Sequence, residues 1–350
     1  MVKAVAFAVP GNLKTPTGGY AYDHRIIGEL VALGWQVEPL NIGEGFPRPT
    51  AALRAAARAQ LMALPERLPI VIDGLAYGVM ANEAASLRSR HAIIALVHHP
   101  LALETGLRDD EALALRDSER AALACAARVV ATSEATARLL TTDYGVPVDR
   151  LTVVRPGTDR AAPTPRRPGE ALTLLAVGAL VPRKGYYVLI EALAQLKDRH
   201  WQLVIVGDPT RSPDTAKRLV QAIVRHRLTD RIDLTGPVTQ ESLAELYSAA
   251  DLFVLPSRFE GYGMAYTEAI AHGVPVVGTN VGAIPDTVPS GAGILVPPDD
   301  VDALAATMQR LFDDVPARER LAAGARAASA SFPSWREQAV LFAAVLDGLA

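Results

Sequence analysis

Two glutamates, Glu260 and Glu268, bracket a stretch that contains Gly261 and Gly263 and leads directly into an apolar helical pattern. The glycines allow a backbone turn that exposes several N–H groups, and a helix that starts after them adds the positive end of its dipole. This combination predicts an anion site, most simply for a phosphate. Carboxylates beside such a site make sense if they hold neutral hydroxyls, as on a sugar or a ribose. The stretch therefore indicates a nucleotide-sugar ligand.

A second charged pair, Arg183 and Lys184, stands where a predicted strand gives way to a helix. A guanidinium can grip phosphate oxygens in pairs, and a lysine supplies a compact point charge. Cations at a helix start run against the helix dipole, which favours a functional role over a solvated surface pair. The pair is predicted to neutralise the diphosphate leaving group of a sugar nucleotide without a metal or other cofactor.

Together, Arg183-Lys184-Gly185, Glu260-x7-Glu268 and Gly273-Val-Pro-Val-Val resemble the retaining GT-B glycosyltransferases of family four, the relatives of bacterial glycogen synthase and sucrose synthase. The Glu-x7-Glu pair alone would arise by chance in many chains, but its order and distance from Arg-Lys-Gly make the combination specific. The resemblance is strongest over about residues 172–300 and looser before them. It implies an α/β protein of GT-B architecture, in which two doubly wound Rossmann-like domains face a central cleft.

The resemblance also implies a role for each matching residue of the second half. Glu260 would accept hydrogen bonds from the donor sugar, and Glu268 would hold the ribose hydroxyls, as suits an acceptor-only carboxylate. Arg183 and Lys184 would hold the diphosphate. Val238 would contact the base through its main chain. Backbone N–H groups would contact the diphosphate or sugar at Tyr262, Gly263, Met264 and Ala265.

Candidate site residues of the first half follow two predicted strands. Gly18-Gly19 ends a glycine- and proline-rich loop, and the resemblance assigns such a loop to the donor phosphate; a simple turn before a helix is the alternative. His98 and His99 follow the strand Ala92–Val97. Adjacent side chains on a strand point to opposite faces, so a shared metal is not expected. The resemblance gives the donor-sugar contact and a catalytic role to His98, with His99 as second choice, although a buried structural histidine is the alternative.

Other polar residues near strand ends stay ambiguous in the sequence. Ser133 fits a helix N-cap as well as an acceptor contact. Asp73, Asp159 and Asp208 also end predicted strands, but turn formers and site residues look alike there.

Hydrophobic periodicity predicts strands alternating with helices throughout, which is typical of doubly wound parallel sheets. In the first half the predicted strands are Val2–Val9, Gln36–Leu40, Pro69–Asp73, Ala92–Val97, Val129–Thr132 and Thr152–Val154, and the predicted helices are Tyr20–Leu33, Ala51–Leu64, Arg108–Ala127 and Glu134–Thr142. In the second half the predicted strands are Leu172–Val177, Trp201–Val206, Ile232–Leu234, Leu252–Leu255, Pro275–Gly278 and Gly293–Val296. The predicted helices there are Gly185–Leu196, Asp214–His226, Gln240–Ala249, Val301–Phe312, Pro316–Ala330 and Ser334–Leu349.

The predicted domain boundary lies in Asp159–Glu170, which is rich in proline and arginine as a linker would be. We expect an acceptor-side domain over residues 1–160 and a donor-binding domain over residues 161–333, with the helix of residues 334–350 packing back onto the first. Ligands of such sheets lie at the carboxyl ends of the strands.

Composition excludes several classes of protein. With 350 residues, 50% apolar, the chain suits two domains with ample cores. A net charge of −3 argues against a general nucleic-acid binder. Cys125 is the only cysteine, which excludes an internal disulfide or a cysteine zinc site and suits a small core residue. The short apolar run before Pro10 suits a strand better than a signal peptide, and a cytoplasmic location is expected.

The predicted function is transfer of a glycosyl group from a nucleotide diphosphate sugar to a hydroxyl acceptor, with retention of configuration. A front-face attack assisted by the leaving diphosphate is implied, although a covalent intermediate stays open. A GT-B sugar-nucleotide epimerase, a phosphorylase and a catalytically silent nucleotide-sugar binder are the alternatives. Neither glycine loop forms a GxGxxG fingerprint, so a nicotinamide enzyme is disfavoured. Arg54 and Arg58 share one helix face; a weak peripheral membrane contact is considered there, but a solvated face is favoured.

Overall fold

A computed structural model of the chain describes residues 3–15, 17–161 and 171–349. The chain divides into two compact units, Met1–Gly157 with Pro333–Ala350 and Thr158–Phe332. Most of the predicted linker, residues 162–170, lies outside the described residues, as does Val2, the first residue of the first predicted strand.

The first unit is built on a six-stranded parallel sheet in the order β2-β1-β3-β4-β5-β6. Its strands are β1 (Ala4–Val9), β2 (Gln36–Asn41), β3 (Ile70–Asp73), β4 (Ile93–Val97), β5 (Arg128–Ala131) and β6 (Leu151–Val153). Its helices are α1 (Gly18–Ala32), α2 (Ala51–Met62), α3 (Gly74–Tyr77), α4 (Ala81–Leu87), α5 (Asp109–Leu123) and α6 (Glu134–Thr142). Strands β3 and β4 are buried along their whole length, as expected for the middle of a sheet covered on both faces.

The second unit repeats the design with a six-stranded parallel sheet in the order β12-β11-β10-β7-β8-β9. Its strands are β7 (Leu172–Val177), β8 (Trp201–Val206), β9 (Ile232–Gly236), β10 (Leu252–Val254), β11 (Val276–Thr279) and β12 (Gly293–Val296). Its helices are α7 (Tyr186–Ala194), α8 (Pro213–Arg225), α9 (Gln240–Ala249), α10 (Met264–Ala271), α11 (Ile284–Thr287), α12 (Val301–Asp313) and α13 (Val315–Ser329). In chain order this is the dinucleotide-binding strand order 3-2-1-4-5-6 read in reverse.

The last helix, α14 (Trp335–Asp347), belongs to the first unit. Its Phe342 stacks on Phe7 of β1 with ring centroids 6.3 Å apart. Trp335 lies so close to Gly157 that any side chain at position 157 would overlap it. The first unit therefore uses both ends of the chain.

The predicted α/β class with parallel sheets is confirmed, and most element bounds agree within two residues. Two corrections concern the first unit. Helix α1 starts at Gly18, so Gly18-Gly19 forms its first turn instead of ending a loop. The sequence interpretation also missed α3 and α4, because helices of four and seven residues are too short to show a period.

Two further observations concern the surface. Arg54 Nε lies 3.8 Å from Glu83 Oε1, and Arg58 Nε donates to Ser86 Oγ at 3.1 Å, so both arginines of the shared face contact α4. Among the described residues, no helix has both the length and the apolar character that a membrane span requires.

Candidate functional site

The two charged motifs of the second unit meet at the point where its strand order reverses. Strands β7 and β10 are neighbours in the sheet but are separated by β8 and β9 in the chain. Arg183 and Lys184 lie in a short 3-10 turn, Pro182–Lys184, after β7, and Glu260 follows β10. Because crossovers leave in opposite directions there, a crevice opens at the carboxyl ends of such strands, and ligands bind in it.

Arg183, Lys184 and Glu260 form one ion-paired cluster, which we call the Arg–Lys–Glu group. Arg183 Nη1 donates to Glu260 Oε2 at 3.0 Å, and Lys184 Nζ donates to Glu260 Oε1 at 2.7 Å. Ser257 Oγ also donates to Oε1 at 2.7 Å. Burial alone would raise the pKa of Glu260, but the charges of Lys184 and Arg183 outweigh it and lower the pKa to about 2. The group is thus fully charged at neutral pH and carries one net positive charge.

A left-handed glycine makes this close approach feasible. Gly185 has φ +68°, and a Cβ there would overlap the carbonyl oxygen of Pro256 on the loop after β10. The backbones after β7 and β10 therefore touch directly, which holds Arg183 and Lys184 against Glu260.

Helix α10 begins beside the Arg–Lys–Glu group. Its N-cap is Gly263, at φ +96°, and no side chain of the described residues caps the helix. Met264 and Ala265 are its first helical residues, and Thr287 Oγ1 donates to the carbonyl oxygen of Tyr262 at 2.7 Å, which fixes the turn before them. The positive end of α10 and two cations thus lie at the same sheet edge, an arrangement suited to a phosphate.

Glu268 lies one turn further along α10 and is half-buried. Tyr247 of α9 donates its hydroxyl to Glu268 Oε2 at 2.9 Å, which fixes the carboxylate. Val238 follows β9, two strands away from β7, and packs against the core of the second unit. At about 4.8 Å per strand, its main chain is roughly 10 Å along the sheet edge from the end of β7. The structure joins Arg183, Lys184 and Glu260 by direct bonds, but not Val238.

In the first unit, His98 meets two buried aspartates, and we call these three the Asp–Asp–His group. His98 Nε2 lies 3.2 Å from Asp23 Oδ1 on α1 and 3.5 Å from Asp73 Oδ2 at the end of β3. Asp23 and Asp73 are almost fully buried, whereas the His98 side chain is 20% exposed. The group lies where β1 and β3 adjoin, the strand-order reversal of the first sheet.

The aspartates control the charge of His98. Burial alone would lower the pKa of His98, but Asp23 and then Asp73 outweigh it and raise the pKa to about 10. Burial and the charge of Asp73 raise the pKa of Asp23 to about 7. Burial acts in the same way on Asp73, but its bond to His98 outweighs burial and lowers its pKa. At neutral pH the imidazole is therefore a cation held by carboxylates, and its side chain is partly exposed.

Packing around His98 fixes the ring. Tyr22 meets it edge-on at 5.3 Å, and Trp335 of α14 packs on Tyr22 at 5.9 Å. A Cβ at Gly19 would lie 3.3 Å from His98 Cδ2, so the first turn of α1 runs directly past the imidazole. Gly18 has open space where its Cβ would be. The structure thus brings Gly19 and His98 together.

His99 and Ser133 each have a partner outside the Asp–Asp–His group. His99 Nε2 lies 3.5 Å from Glu104 Oε2, away from the two aspartates. Ser133 is buried and caps α6, accepting from Thr136 N at 3.0 Å, so the N-cap interpretation holds. Asp208 is likewise a turn former, because it accepts from Thr210 N at 2.8 Å.

The sequence interpretation missed Asp23, Tyr247 and Ser257. The sequence pattern could have indicated Asp23, because this residue shares the apolar face of α1 with Ile26 and Leu30 at helical spacing. A carboxylate on a buried face is rare unless it is paired. Ser257 and Tyr247 gave no comparable signal.

The Asp–Asp–His group is also a donor set for a divalent cation. Its three ligand atoms lie within 4.8 Å of one another, and it is the one such group found among the residues that the structure describes. Two carboxylates and an imidazole suit several divalent ions. The same distances fit a shared proton equally well, and no catalytic step is assigned to a metal here.

Two family models together match most of the chain. Residues 171–314 match the model of the glycosyl transferases group 1, and residues 20–162 match that of glycosyltransferase family 4. The chain belongs to the group 1, family 4 glycosyltransferases. Each model covers most of one unit of this family member, and each includes the charged group of that unit.

Relatives agree with this membership. A D-inositol 3-phosphate glycosyltransferase of Kineococcus radiotolerans is 35% identical over 60% of this chain and 54% of its own length. An MMP alpha-(1->4)-mannosyltransferase of Mycolicibacterium hassiacum is 28% identical over 87% of this chain and 76% of its own. The chain spans about half the length of the inositol-phosphate relatives that it matches.

Solved structures share the whole fold. A sucrose-phosphate synthase from Thermosynechococcus elongatus superposes with a TM-score of 0.83, 24% identity and 99% coverage of both chains. Anabaena HepE in complex with UDP and glucose gives 0.77 at 20% identity, covering 98% of this chain and 99% of its own. At such identities the likeness shows the fold alone, the GT-B fold with its two α/β domains.

Proposed function

We propose that this chain transfers a glycosyl group from a nucleotide diphosphate sugar to a hydroxyl acceptor, with retention of anomeric configuration. The observation that carries the proposal is the Arg–Lys–Glu group beside the start of α10, at the strand-order reversal of the second sheet. The family supports it, and so does the HepE structure, which is described in complex with UDP and glucose.

The diphosphate would enter where Glu260 now pairs with Arg183 and Lys184. The group keeps a net positive charge even with Glu260 ionised, and the positive end of α10 adds to it. A diphosphate can therefore compete for the two cations without removing a proton from either. As the glycosidic bond breaks, the same cations would stabilise the charge that develops on the leaving phosphate.

The two glutamates would contact different parts of the donor outside the diphosphate. Glu268 would accept hydrogen bonds from the ribose hydroxyls. The hydroxyl of Tyr247, which donates to Glu268 Oε2, would keep the carboxylate in position. Glu260 would accept bonds from the sugar once the diphosphate has taken its cations. Val238 would contact the base through its main chain, and His98, as a cation, would donate to a sugar hydroxyl.

Retention would follow from attack on the same face that the diphosphate leaves. A double displacement needs a carboxylate nucleophile. In the donor complex Glu260 would be engaged by hydroxyls of the donor sugar and by the hydroxyl of Ser257, so it would not serve as that nucleophile. The departing diphosphate would then take the acceptor proton. Mass spectrometry after a donor-only reaction tests this: a glycosyl adduct on the protein would contradict front-face attack.

A nucleotide-sugar panel, read by hydrolysis and by thermal stabilisation, tests the function. Lys184→Ala should weaken the preferred donor by about 1.5–3 kcal/mol, roughly tenfold to a hundredfold, because it loses a charge-assisted contact. Lys217→Ala, at an exposed position of α8, is the matched control and should stay within about twofold of the parent. Equal donor affinity in both variants would refute the diphosphate role. Tight nucleotide binding with no turnover on any acceptor would mark a silent binder.

A sugar-nucleotide epimerase is the second candidate, because the Asp–Asp–His group supplies ionisable residues that could move a proton. The two functions separate with donor alone. An epimerase converts it to a second nucleotide sugar, whereas a transferase releases free sugar slowly. The proposal requires no metal, so a chelator should leave turnover unchanged; loss of activity restored by a divalent ion would contradict it.

A further inference from the structure

A second cavity, of about 620 Å³, lies at the amino edge of the first sheet. It is formed by the loops that lead into β3, β4, β5 and β6, together with Leu349 near the chain end. Its volume is within the usual range for small-molecule sites. The Asp–Asp–His group is at the opposite edge, roughly 17 Å away along the five residues of β4. The cavity is therefore separate from the candidate site.

The charged side chains that line this cavity are basic. Five arginines line it, and the described residues of its lining include no carboxylate. The chain as a whole carries a net charge of −3, so this concentration is local. The arginines are Arg67, Arg88, Arg90, Arg128 and Arg150. Arg67 and Arg90 come from two loops that are tied together, since Arg67 N donates to the carbonyl oxygen of Arg90 at 3.0 Å.

Two buried polar atoms in the wall have no partner among the described residues. His91 is only 4% exposed, and its Nδ1 lies 3.0 Å from the carbonyl oxygen of Leu68. A carbonyl only accepts, so Nδ1 carries the hydrogen, while Nε2 is buried and unbonded. Nε of Arg90 is also buried and unbonded. Native proteins seldom leave such atoms without a partner, which indicates a ligand.

Existing partners leave the arginines available. Arg90 Nη1 donates to Glu66 Oε1 at 3.2 Å, but that glutamate is 70% exposed and neutralises little. Arg128 Nη1 bonds only the neighbouring carbonyl of Ala127, at 3.0 Å. A guanidinium uses Nε and Nη as a fork for two oxygens of one phosphate. The unbonded Nε of Arg90 is one half of that fork.

We propose that this cavity binds a phosphorylated small molecule, with Arg90 and the other arginines around the phosphate and with His91 Nε2 accepting a hydrogen bond from a hydroxyl of the ligand. Several guanidinium groups favour a phosphate over a single carboxylate, because a phosphate offers more acceptor oxygens and more charge. Apolar lining residues, among them Ile93 and Leu349, would cover the carbon part. The inference goes beyond the proposed glycosyl transfer and does not depend on it.

Calorimetry with pyrophosphate and orthophosphate tests the inference, in protein carrying Lys184→Ala so that the proposed donor site contributes little. We expect one saturable site. Arg90→Gln and Arg88→Gln should each weaken it by about tenfold, as a lost charge-assisted contact would. Arg88 is exposed, so its variant will fold even if Arg90→Gln does not. Arg54→Gln, at a loosely paired arginine outside the cavity, is the matched control and should bind like the parent.

Three results would overturn the inference. They are no binding at all, equal binding in all three arginine variants, or binding that sulfate and chloride abolish equally at matched ionic strength. Vesicles of phosphatidylglycerol test whether the phosphate belongs to a lipid headgroup or to a soluble molecule. Capture by vesicles without any heat from the soluble phosphates would show a headgroup surface in place of a small-molecule site.

Discussion

Asp23 is the residue whose replacement tests the first-unit chemistry most directly. Asp23→Asn keeps the size of the side chain but removes the charge that, ahead of Asp73, raises the pKa of His98 to about 10. An opposite charge at such a distance changes a pKa by about 1–3. The pKa of His98 should therefore fall to between about 7 and 9. At 1.36 kcal/mol per unit, that is roughly 1.4–4 kcal/mol of lost stabilisation of the imidazolium.

The assay is NMR of ¹⁵N-histidine-labelled protein titrated with base, with the His98 signal identified by its loss in His98→Asn. Parent protein should keep His98 protonated well above neutral pH, whereas Asp23→Asn should titrate at least about one pH unit lower. Asp117→Asn, at an exposed position of α5, is the matched control and should leave the midpoint unchanged. A parent midpoint near 6.5, or equal midpoints in parent and Asp23→Asn, would refute the charge assignment.

Three more predictions concern binding, packing and pH. Glu268→Gln should weaken nucleoside diphosphate binding about tenfold in calorimetry, because the hydrogen bonds to the ribose would no longer be made to a charged carboxylate. Glu245→Gln, at an exposed position, is the control and should not weaken binding. Equal losses in the two variants would contradict the ribose role of Glu268. Gly185→Ala should lower the free energy of unfolding by more than about 2 kcal/mol. The backbone is left-handed at this position, and the added Cβ would also clash with the carbonyl oxygen of Pro256. Gly28→Ala, in open space on a helix, should not lower it. The pKa of His98 is about 10 in the folded protein and about 6.5 in the unfolded chain, so protonation of His98 stabilises the folded state. This contribution to the free energy of unfolding is complete below pH 6.5 and is lost as the pH rises to 10. Urea midpoints should fall across that window, and less in His98→Asn; parallel profiles would contradict the linkage.

Local pattern was sufficient to predict most of the fold. The strands Leu172–Val177, Trp201–Val206 and Gly293–Val296 have the predicted bounds, because each run of β-branched and other apolar residues is followed by a glycine or a proline. The start of α1 at Gly18 was missed because glycine is a weak helix former, and here the Thr17 side chain caps the first turn by accepting from Tyr20 N.

The candidate site could be predicted only in part, for a different reason. Each charged motif was visible locally, but the bonds of Glu260 to Arg183 and Lys184 join residues more than 70 positions apart. Only the sheet order brings β7 beside β10. Asp23 and His98 are likewise brought together by tertiary packing, and a single sequence holds no direct record of such contacts.

The return of α14 to the first unit also sets an order of events during synthesis. The second unit, Thr158–Phe332, is continuous in the chain, whereas the first unit is interrupted by it. At 5–20 residues per second, the ribosome needs on the order of ten seconds or more to make the intervening stretch. During that time the surface that will receive Phe342 and Trp335 has no cover. The first unit therefore becomes complete only after the second unit has been made, although its first residues emerge earlier.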